Sequence, residues 1–523
     1  MQKQSRRVMV FHPFLFALYP PLALLANNIL QIRPVESARS MVVFLIFGAL
    51  VFLICRSFFK NWQKAGILAS ILILSFVSYG QVYSSFELMP AVAGILGRHR
   101  YLAPIWLFLT AGIVGVVIRS KSKLDSATSA LNAISVVLLV LPLISLGNHA
   151  RLSYKYAHTN AESVNKISQT SGTSSATPPD VYYIILDMYA RDDVLLDRYH
   201  YDNTPFLNEL EDLGFYVARC SVSNYNMTEL SLASSFNMHY LDTLGDQYVA
   251  GQTDRSGLVS LIHQSAVRQI FEGMGYKFIN FETGFTFTEM RDADLFLGPA
   301  PADYQEDNPA LQLNAFESML VKTTAVALLT DAQARWSDPV NSALDTRKAH
   351  IVREVYLLNK LPALPKEVPG PKFVYAHILI PHPPFVFSKE GINLSFPGND
   401  GATTYGPTAK DFAVGYRNQL DYINAAMIPI LKQIILDSKT PPIIIIQGDH
   451  GVDPKRAYNL NAYYFPGDAQ KTLYSTITPV NSFRLILNDY FGGNYELLPD
   501  INYTSSDKLP FNFETVVNER SCP

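Results

Sequence analysis

Apolar residues dominate about the first 150 positions of the chain and then give way to a mixed pattern. In that first part they form runs long enough to cross a bilayer, which requires about 20 residues of helix. The pattern predicts five transmembrane helices, at residues 8–32, 41–59, 65–86, 101–118 and 126–147. The first run follows a basic stretch, as a signal peptide would, but four more runs follow it, so we expect a retained helix. Residues 1–150 are therefore predicted to form a five-helix transmembrane domain of an integral membrane protein.

Lysine and arginine residues in the short loops indicate the orientation of these helices, because such residues are enriched in cytoplasmic loops. With the N-terminus in the cytoplasm, the inner loops hold nine of these residues and the outer loops hold four. Five crossings then place everything after about Asn148 outside the cytoplasm. The prediction depends on the number of crossings, because the loss of one would reverse the orientation of the rest of the chain.

The remainder of the chain is predicted to be a linker and a second domain. Residues 151–179 are expected to form a juxtamembrane helix and a linker rich in serine, threonine and proline, a composition that cannot bury a core. From Asp180 onward, short apolar runs alternate with helical patterns. This alternation predicts an α/β domain over residues 180–523, with a mostly parallel central sheet and helices on both faces. Ligands of such domains bind beyond the carboxyl ends of the strands.

Three of the predicted strands end in side chains that can bind a metal ion. Asp187 ends the run "YYIILD", His377 and His382 lie in "AHILIPHPPF", and Asp449 and His450 follow four isoleucines in "IIIIQGDHG". Carboxylates together with an imidazole suit one divalent ion, Zn²⁺ or Mn²⁺, and Ca²⁺ or Mg²⁺ rank below these two. Asp449 and His450 are the hardest to explain otherwise, because two polar groups at the mouth of an isoleucine run need a partner.

A candidate nucleophile lies between the first two of these strands. In "SNYNMTELSLASSF", Thr228 is expected at the start of a helix, where free N–H groups favour an anionic ester. Bound to a metal ion, its hydroxyl could lose a proton and attack phosphorus. Simpler interpretations remain open: Thr228 as an ordinary helix cap, Asp187 as the cap of a turn, and His377 as a core histidine.

Charge and cysteine content narrow the picture. The net charge is −3 and no dense basic stripe is present, so nucleic-acid binding is not expected. Of the three cysteines, Cys55 lies in an apolar run, and the sequence leaves open whether Cys220 and Cys522 form a disulfide outside the cytoplasm.

The order of these four motifs resembles that of the alkaline phosphatase/sulfatase superfamily. More narrowly, the chain is similar to the membrane-bound branch that contains lipoteichoic acid synthases and lipid A phosphoethanolamine transferases. Those enzymes have five N-terminal helices and an extracytoplasmic catalytic domain. The resemblance implies that four residues contact the metal ion, with the threonine as nucleophile: Asp187, Thr228, Asp449 and His450.

The same resemblance implies contacts with the substrate. His382 matches a histidine that contacts the headgroup or the leaving group, His377 is a weaker match, and Arg456 is a candidate phosphate contact. Neither "MTELSLA" around Thr228 nor "VARCSVSN" around Cys220 contains the C/S-x-P-x-R motif that sulfate-ester hydrolysis requires.

We therefore expect a metal-dependent transferase in a bacterial inner membrane, with its catalytic domain outside the cytoplasm. It would move a phosphoalcohol headgroup, of the phosphoglycerol or phosphoethanolamine type, from a membrane phospholipid donor to a glycan or lipid acceptor of the cell envelope. The headgroup would pass through a threonine-linked intermediate. Two alternatives remain: a hydrolase of the same superfamily, sulfatase-like or a phosphodiesterase, and a non-catalytic protein that binds an envelope polymer.

Overall fold

The structure is a computed structural model of the 523-residue chain. It describes residues 8–87, 89, 92, 94–120, 124–168, 178–300, 303, 313–328, 346–394, 410–453 and 455–518. The chain divides into two compact units, one formed by Met1–Arg151 and Asp307–Thr346, the other by Leu152–Glu306 and Arg347–Pro523. The predicted boundaries at 150 and 180 stay a prediction, and the structure assigns one segment from the predicted second domain to the first unit.

The first unit is built from helices. They are α1 (His12–Asn27), α2 (Ala38–Phe59), α3 (Trp62–Glu87), α4 (His99–Arg119) and the start of α5 (Asp125–Ser168). Within the described residues, four helices are long and apolar enough to cross a membrane: Pro34–Phe59, Trp62–Phe86, His99–Arg119 and Asp125–Lys155.

The five predicted crossings are therefore not all confirmed. The first predicted span folds as α1, which has 16 residues and contains Pro20 and Pro21. A helix of that length extends about 24 Å, which is less than the hydrocarbon thickness of about 30 Å. The predicted juxtamembrane segment is helical up to Ser168, because α5 continues without a break for 44 residues to that point.

A short helix from the middle of the sequence belongs to the first unit. This helix, α11 (Ala315–Thr323), begins with a capping box between Asn314 and Glu317. Glu317 also pairs with Arg39 at the start of α2. Phe316 and Leu320 pack against apolar residues that border α1. These contacts attach α11 to the helical first unit.

The second unit contains a seven-stranded sheet in the order β2-β9-β8-β1-β5-β3-β4. Its strands are β1 (Val181–Leu186), β2 (Tyr216–Val217), β3 (Lys277–Phe281), β4 (Leu295–Leu297), β5 (Lys372–Ile378), β8 (Ile443–Gln447) and β9 (Asn461–Tyr464). The five strands from β8 to β4 are parallel, and β9 is antiparallel to β8. Two small hairpins complete the strands: β6 (Phe387–Ser388) with β7 (Gly391–Ile392), and β10 (Asn502–Ser506) with β11 (Leu509–Val516).

The sequence explains why the central strands lie where they do. Every residue of β1, β5 and β8 is buried, as expected for apolar runs in a parallel sheet that is covered on both faces. The helices of the second unit are α6 (Asp192–Tyr199), α7 (Thr204–Asp212), α8 (Thr228–Asn237), α9 (Ser256–His263), α10 (Ala266–Gly273), α12 (Thr346–Lys360), α13 (Leu364–Glu367), α14 (Lys410–Asp437) and α15 (Pro479–Phe491). The register pairs Leu186 with Ile378 and Ile185 with Gln447, so the three strands end together at one edge.

The structure describes two of the three cysteines. Cys55 is free and buried, and Cys220 is disulfide-bonded. Cys522, the residue considered as its partner, lies outside the described residues, so that pairing stays a prediction.

Candidate active site

Three metal-competent side chains meet at the edge where the central strands end. Asp187 follows β1, and Asp449 and His450 follow β8. One ligand atom from each residue lies within 4.8 Å of the others, and all three residues are buried. The structure therefore brings together three side chains that the sequence placed at the ends of two strands.

Thr228 lies at the same place. It is the first residue of α8, after Met227 in extended conformation, and its Oγ1 is 3.3 Å from Nε2 of His450. The next turn of α8 is connected to the loop after β8, because the Ser231 hydroxyl donates a 2.7 Å hydrogen bond to the carbonyl of Asp449. The Thr228 hydroxyl therefore faces the cluster. It also lies at the helix N-terminus, where the backbone N–H groups are free.

The ring of His450 is oriented with Nε2 toward the cluster. Its Nδ1 lies 2.7 Å from the carbonyl oxygen of Gly451, which can only accept, so Nδ1 carries the proton. Nε2 then offers a lone pair to the Thr228 hydroxyl and to Arg456, whose guanidinium is 3.1 Å away. Burial foremost, and the Arg456 charge, lower the pKa of His450 against the opposing effect of Asp449, which favours the neutral ring that metals bind.

The unpartnered atoms of the site fit a divalent ion. Oδ1 of Asp187 and Oδ2 of Asp449 are buried with no hydrogen-bond partner among the described residues, and both face Nε2 of His450 at 4.0 Å and 3.6 Å. Ligands bound at about 2.0–2.2 Å around a tetrahedral zinc ion lie about 3.3–3.6 Å apart. Two orphaned carboxylate oxygens are costly without a cation, so the chemistry and the spacing of these atoms both suit one.

His377 lies behind Asp187. Its Nε2 donates to Oδ2 of Asp187 at 3.3 Å, its Nδ1 accepts from the Tyr375 hydroxyl at 3.1 Å, and the residue is 1% exposed. Both ring nitrogens of His377 are hydrogen-bonded, and the ring has almost no accessible surface. This position suits a residue that orients Asp187 better than it suits the predicted contact with substrate.

The charge of Asp187 is maintained in spite of its burial. Burial alone would raise the pKa of this carboxyl group. The electrostatic influence of the nearby imidazole groups of His382, His377 and His450, with the hydrogen bond from His377, holds the pKa of Asp187 below its ordinary value. The carboxyl group is therefore ionised at neutral pH, as a metal ligand must be.

His382 lies beyond the end of β5, in the proline-rich loop. The ring is half-buried, and its Nδ1 donates to the carbonyl of Pro383 at 2.6 Å. The other nitrogen, Nε2, is then the one available for proton transfer. Because β5 ends beside β1, this loop leaves the same edge of the sheet as the segment that carries Asp187.

The two glycines around the Asp449–His450 pair are required by close packing. A Cβ on Gly448 would lie 2.3 Å from the carbonyl oxygen of Tyr189, and one on Gly451 would lie 2.2 Å from that of Tyr458. Neither position has room for a side chain, so the backbone can turn there only with glycine.

Sequence reasoning missed the residues that support the site. Ser231, Glu354 and Gln419 all hold backbone atoms of its loops through side-chain hydrogen bonds. A signal for Gln419 was present: it occupies the buried face of α14 with Tyr416 and Ile423, where apolar residues are expected.

The sequence of the second unit matches a known family model. The model described as sulfatase matches residues 179–483, which is more than half of the chain. The chain belongs to the sulfatase family. The match includes every strand of the central sheet and all the site residues described above.

The solved structures to which this chain is similar include a phosphoethanolamine transferase, a periplasmic domain and a putative sulfatase. Phosphoethanolamine transferase EptA from Neisseria meningitidis is 11% identical, covers 91% of this chain and 94% of its own, and has a TM-score of 0.38. The periplasmic domain of Escherichia coli EptC in complex with zinc is 12% identical, covers 66% and 94%, and has a TM-score of 0.38. A putative sulfatase from Bacteroides thetaiotaomicron is 12% identical, covers 61% and 72%, and has a TM-score of 0.36. No curated protein matches the chain by sequence.

Proposed function

We propose that this sulfatase-family enzyme transfers a phosphoalcohol headgroup from a membrane phospholipid to a glycan or lipid acceptor of the cell envelope. The observation that carries the proposal is the 3.3 Å approach of the Thr228 hydroxyl to His450 within the Asp187–Asp449–His450 cluster. A hydroxyl nucleophile beside a metal-competent site is the arrangement that phosphoryl transfer through a covalent intermediate requires.

In the first step, Oγ1 of Thr228 attacks the phosphorus of the phospholipid. A divalent ion, zinc or manganese, held by Asp187, Asp449 and His450 would lower the pKa of the hydroxyl and neutralise charge on the phosphoryl oxygens, and the hydroxyl proton leaves to solvent. The bond between phosphorus and the oxygen of the diacylglycerol moiety breaks. Nε2 of protonated His382 gives its proton to that oxygen, and diacylglycerol leaves.

In the second step, the acceptor replaces the lipid. Nε2 of His382, now neutral, takes a proton from the acceptor hydroxyl, whose oxygen attacks the phosphorus bound to Thr228. The bond between phosphorus and Oγ1 breaks, and a proton from solvent returns the threonine to its hydroxyl form. Arg456 lies 3.1 Å from His450 and can bind a phosphoryl oxygen in both steps, because its guanidinium carries a fixed positive charge.

The absence of the formylglycine motif supports phosphate over sulfate as the transferred group. The residue at the nucleophile position is a threonine, and no cysteine or serine in a C/S-x-P-x-R motif accompanies it. A hydrolase that uses water as acceptor would share the first step, so the fate of the headgroup separates the two activities.

The proposal requires the second unit to lie outside the cytoplasm of a bacterial inner membrane. We propose that α1 supplies the fifth crossing, because it packs with α2 and α3 through Phe16 and Ala17 and is flanked by further apolar residues. Labelling of single cysteines placed at each end of α1 in intact cells tests this. Reaction of both ends with an impermeant reagent, or of neither, would rule out a crossing.

The decisive test follows the headgroup. The full chain in detergent, loaded with zinc or manganese, is incubated with phosphatidylglycerol or phosphatidylethanolamine labelled in the headgroup. We expect diacylglycerol release and a phosphoalcohol adduct on the peptide that contains Thr228, seen by mass spectrometry. Thr228→Ala should lose both signals, while Thr243→Ala, which removes an exposed hydroxyl of the same unit, should keep them. Product formation by Thr228→Ala at the normal rate would end the proposal.

A further inference from the structure

The loop that carries His382 cannot hold itself by backbone hydrogen bonds alone. Pro381, Pro383 and Pro384 have no N–H groups, so three of the residues next to or near His382 can donate nothing. The carbonyl groups of Pro381 and His382 still need donors, because buried backbone oxygens are paired in stable proteins. The donors must therefore come from outside the loop.

Gln419 on α14 supplies these donors. Its Nε2 donates to the carbonyl of Pro381 at 3.1 Å and to the carbonyl of His382 at 2.9 Å. Its Oε1 accepts from the N–H of Val386 at 3.3 Å, and the residue is fully buried. One amide group thus uses two donors and one acceptor to hold both ends of the loop.

A second feature of α14 indicates that the helix is shaped for this loop. Gly415 lies one turn before Gln419, and a Cβ there would approach the ring of Phe385 to 2.3 Å. Glycine in the middle of a helix costs about 1 kcal/mol relative to alanine. Here it permits the close approach that brings the Gln419 amide within hydrogen-bond distance of the loop.

No other natural side chain reproduces this set of bonds. Glutamate has the size of glutamine but would direct a carboxylate at two carbonyl oxygens. Methionine has the size without any polar atom and would leave three backbone groups unpaired, at about 1–3 kcal/mol each if they stay buried. The requirement for an amide is therefore specific.

We propose that Gln419 is the positioning residue that fixes the His382 ring for proton transfer to the leaving group. The inference rests on the proposed function, in which Nε2 of His382 donates the proton. Nδ1 is held by the carbonyl of Pro383, and Gln419 holds the carbonyl of His382 itself, so the ring is fixed from both sides along the chain. Loss of the Gln419 bonds lets the loop shift, and general acid catalysis is sensitive to such a shift.

The experiment compares two substrates that differ only in their need for a proton. These are the p-nitrophenyl and n-octyl diesters of phosphoglycerol, cleaved by the metal-loaded full chain in detergent. Nitrophenolate leaves without protonation, whereas an alkoxide does not. We expect Gln419→Met to slow cleavage of the octyl ester at least about tenfold and that of the nitrophenyl ester less than about threefold, with bound metal unchanged.

A double-variant comparison separates positioning from general loosening. His382→Ala should show the same substrate preference, and adding Gln419→Met to it should produce no further loss on the octyl ester. Gln433→Met is the matched control, because Gln433 lies exposed on the same helix, and it should behave as wild type. If Gln419→Met does not accumulate as folded protein, Gln419→Glu is measured in its place, with the same expected preference.

The outcomes are distinguishable. Equal slowing of both esters by the Gln419 variant, no slowing of either, or multiplied losses in the double variant would overturn the positioning role while the proposed function stands. If wild type cleaves neither ester in a Thr228-dependent manner, with phosphoglycerol or with phosphoethanolamine as the headgroup, the proposed function fails, and the role of Gln419 fails with it.

Discussion

The hydroxyl of Thr228 lies 3.3 Å from Nε2 of His450, although 222 positions separate the two residues in the sequence. Thr228 is the first residue of helix α8, and His450 lies just after the buried strand β8. The Ser231 bond to the carbonyl of Asp449 connects the two elements directly. The proposed nucleophile and the proposed metal ligand are therefore held by one packed unit rather than by a flexible loop.

Thr228→Ser should retain activity, because it keeps a hydroxyl at the first position of α8. We expect a rate within about tenfold of wild type, the loss arising from the greater rotational freedom of a side chain without the β-methyl group. The adduct should then be found on the serine. Thr228→Val keeps the shape without the hydroxyl and should form no adduct; an adduct elsewhere in Thr228→Val would contradict the assignment.

His377→Ala should weaken metal binding about 10- to 100-fold, as expected when the residue that orients a ligand is removed. The reason is the 3.3 Å bond from His377 to Asp187, without which that carboxylate is free to rotate. The dissociation constant for zinc, from competition with a chromogenic chelator, is the measurement.

Two tyrosine variants give the graded control for His377. Tyr375→Phe removes the hydroxyl that bonds to Nδ1 of His377 and should weaken zinc binding by a smaller factor. Tyr183→Phe removes a buried hydroxyl from the neighbouring strand that bonds to Ser235, and it should leave the zinc affinity unchanged. Equal effects of the two tyrosine variants would argue against an orienting role.

The central strands and the metal-competent residues could be predicted from sequence for one physical reason. An apolar run of five to seven residues in an α/β domain has few alternatives to a buried parallel strand, and polar groups directly after it must lie at the ligand-binding edge. The edge strand β2 is harder to predict, because it has only the residues Tyr216–Val217 and pairs with β9 alone in the sheet.

The roles of the supporting residues could not be predicted, even where a buried polar position such as Gln419 gave a signal, because those roles depend on contacts between distant elements. Gln419 reads as one polar residue in an amphipathic helix until the loop that it holds is placed beside it. The number of membrane crossings is not fully confirmed, for another reason. Hydropathy measures the apolar run around α1 but not the end of its helix, which the structure places at Asn27.

Gly448→Ala should destabilise the second unit and impair metal binding together. The added Cβ would lie 2.3 Å from the carbonyl oxygen of Tyr189, and relief of that clash must move the segment that carries Asp449. We expect a loss of about 1–3 kcal/mol in unfolding free energy. Gly273→Ala is the control, since a Cβ there meets nothing within 4 Å. Unchanged stability and zinc binding in Gly448→Ala would show that the backbone adapts.

His350 and Glu354 form a buried pair on α12. Their titrations should change the stability of the second unit with pH in opposite directions. Burial lowers the pKa of His350 to about 3, with the charges of Arg353 and His382 acting in the same direction and Asp187 opposing. Burial raises the pKa of Glu354 to about 8, against the effects of Arg353 and the Leu379 N–H and with a small contribution from Asp187. Nδ1 of His350 lies 3.9 Å from Oε1 of Glu354.

The signs follow from proton binding. Between pH 3 and 6.5 the unfolded chain binds more protons at His350, so stability rises with pH in that window. Between pH 4.5 and 8 the folded chain binds more protons at Glu354, so stability falls as pH rises. The two slopes oppose each other where the windows overlap, and the fall due to Glu354 remains above pH 6.5, at up to about 1.4 kcal/mol per pH unit.

Glu354→Gln should therefore remove the fall in stability above neutrality. Its amide oxygen can still accept from the N–H of Leu379, so the contact to the end of β5 is kept while the titration is lost. Hydrogen exchange of the peptide that contains β5, followed from pH 6.5 to 8 in the full chain and corrected for intrinsic exchange, measures this locally. Glu367→Gln changes an exposed carboxylate and should leave the wild-type slope. A slope in Glu354→Gln equal to that of wild type would show that another group carries the pH dependence.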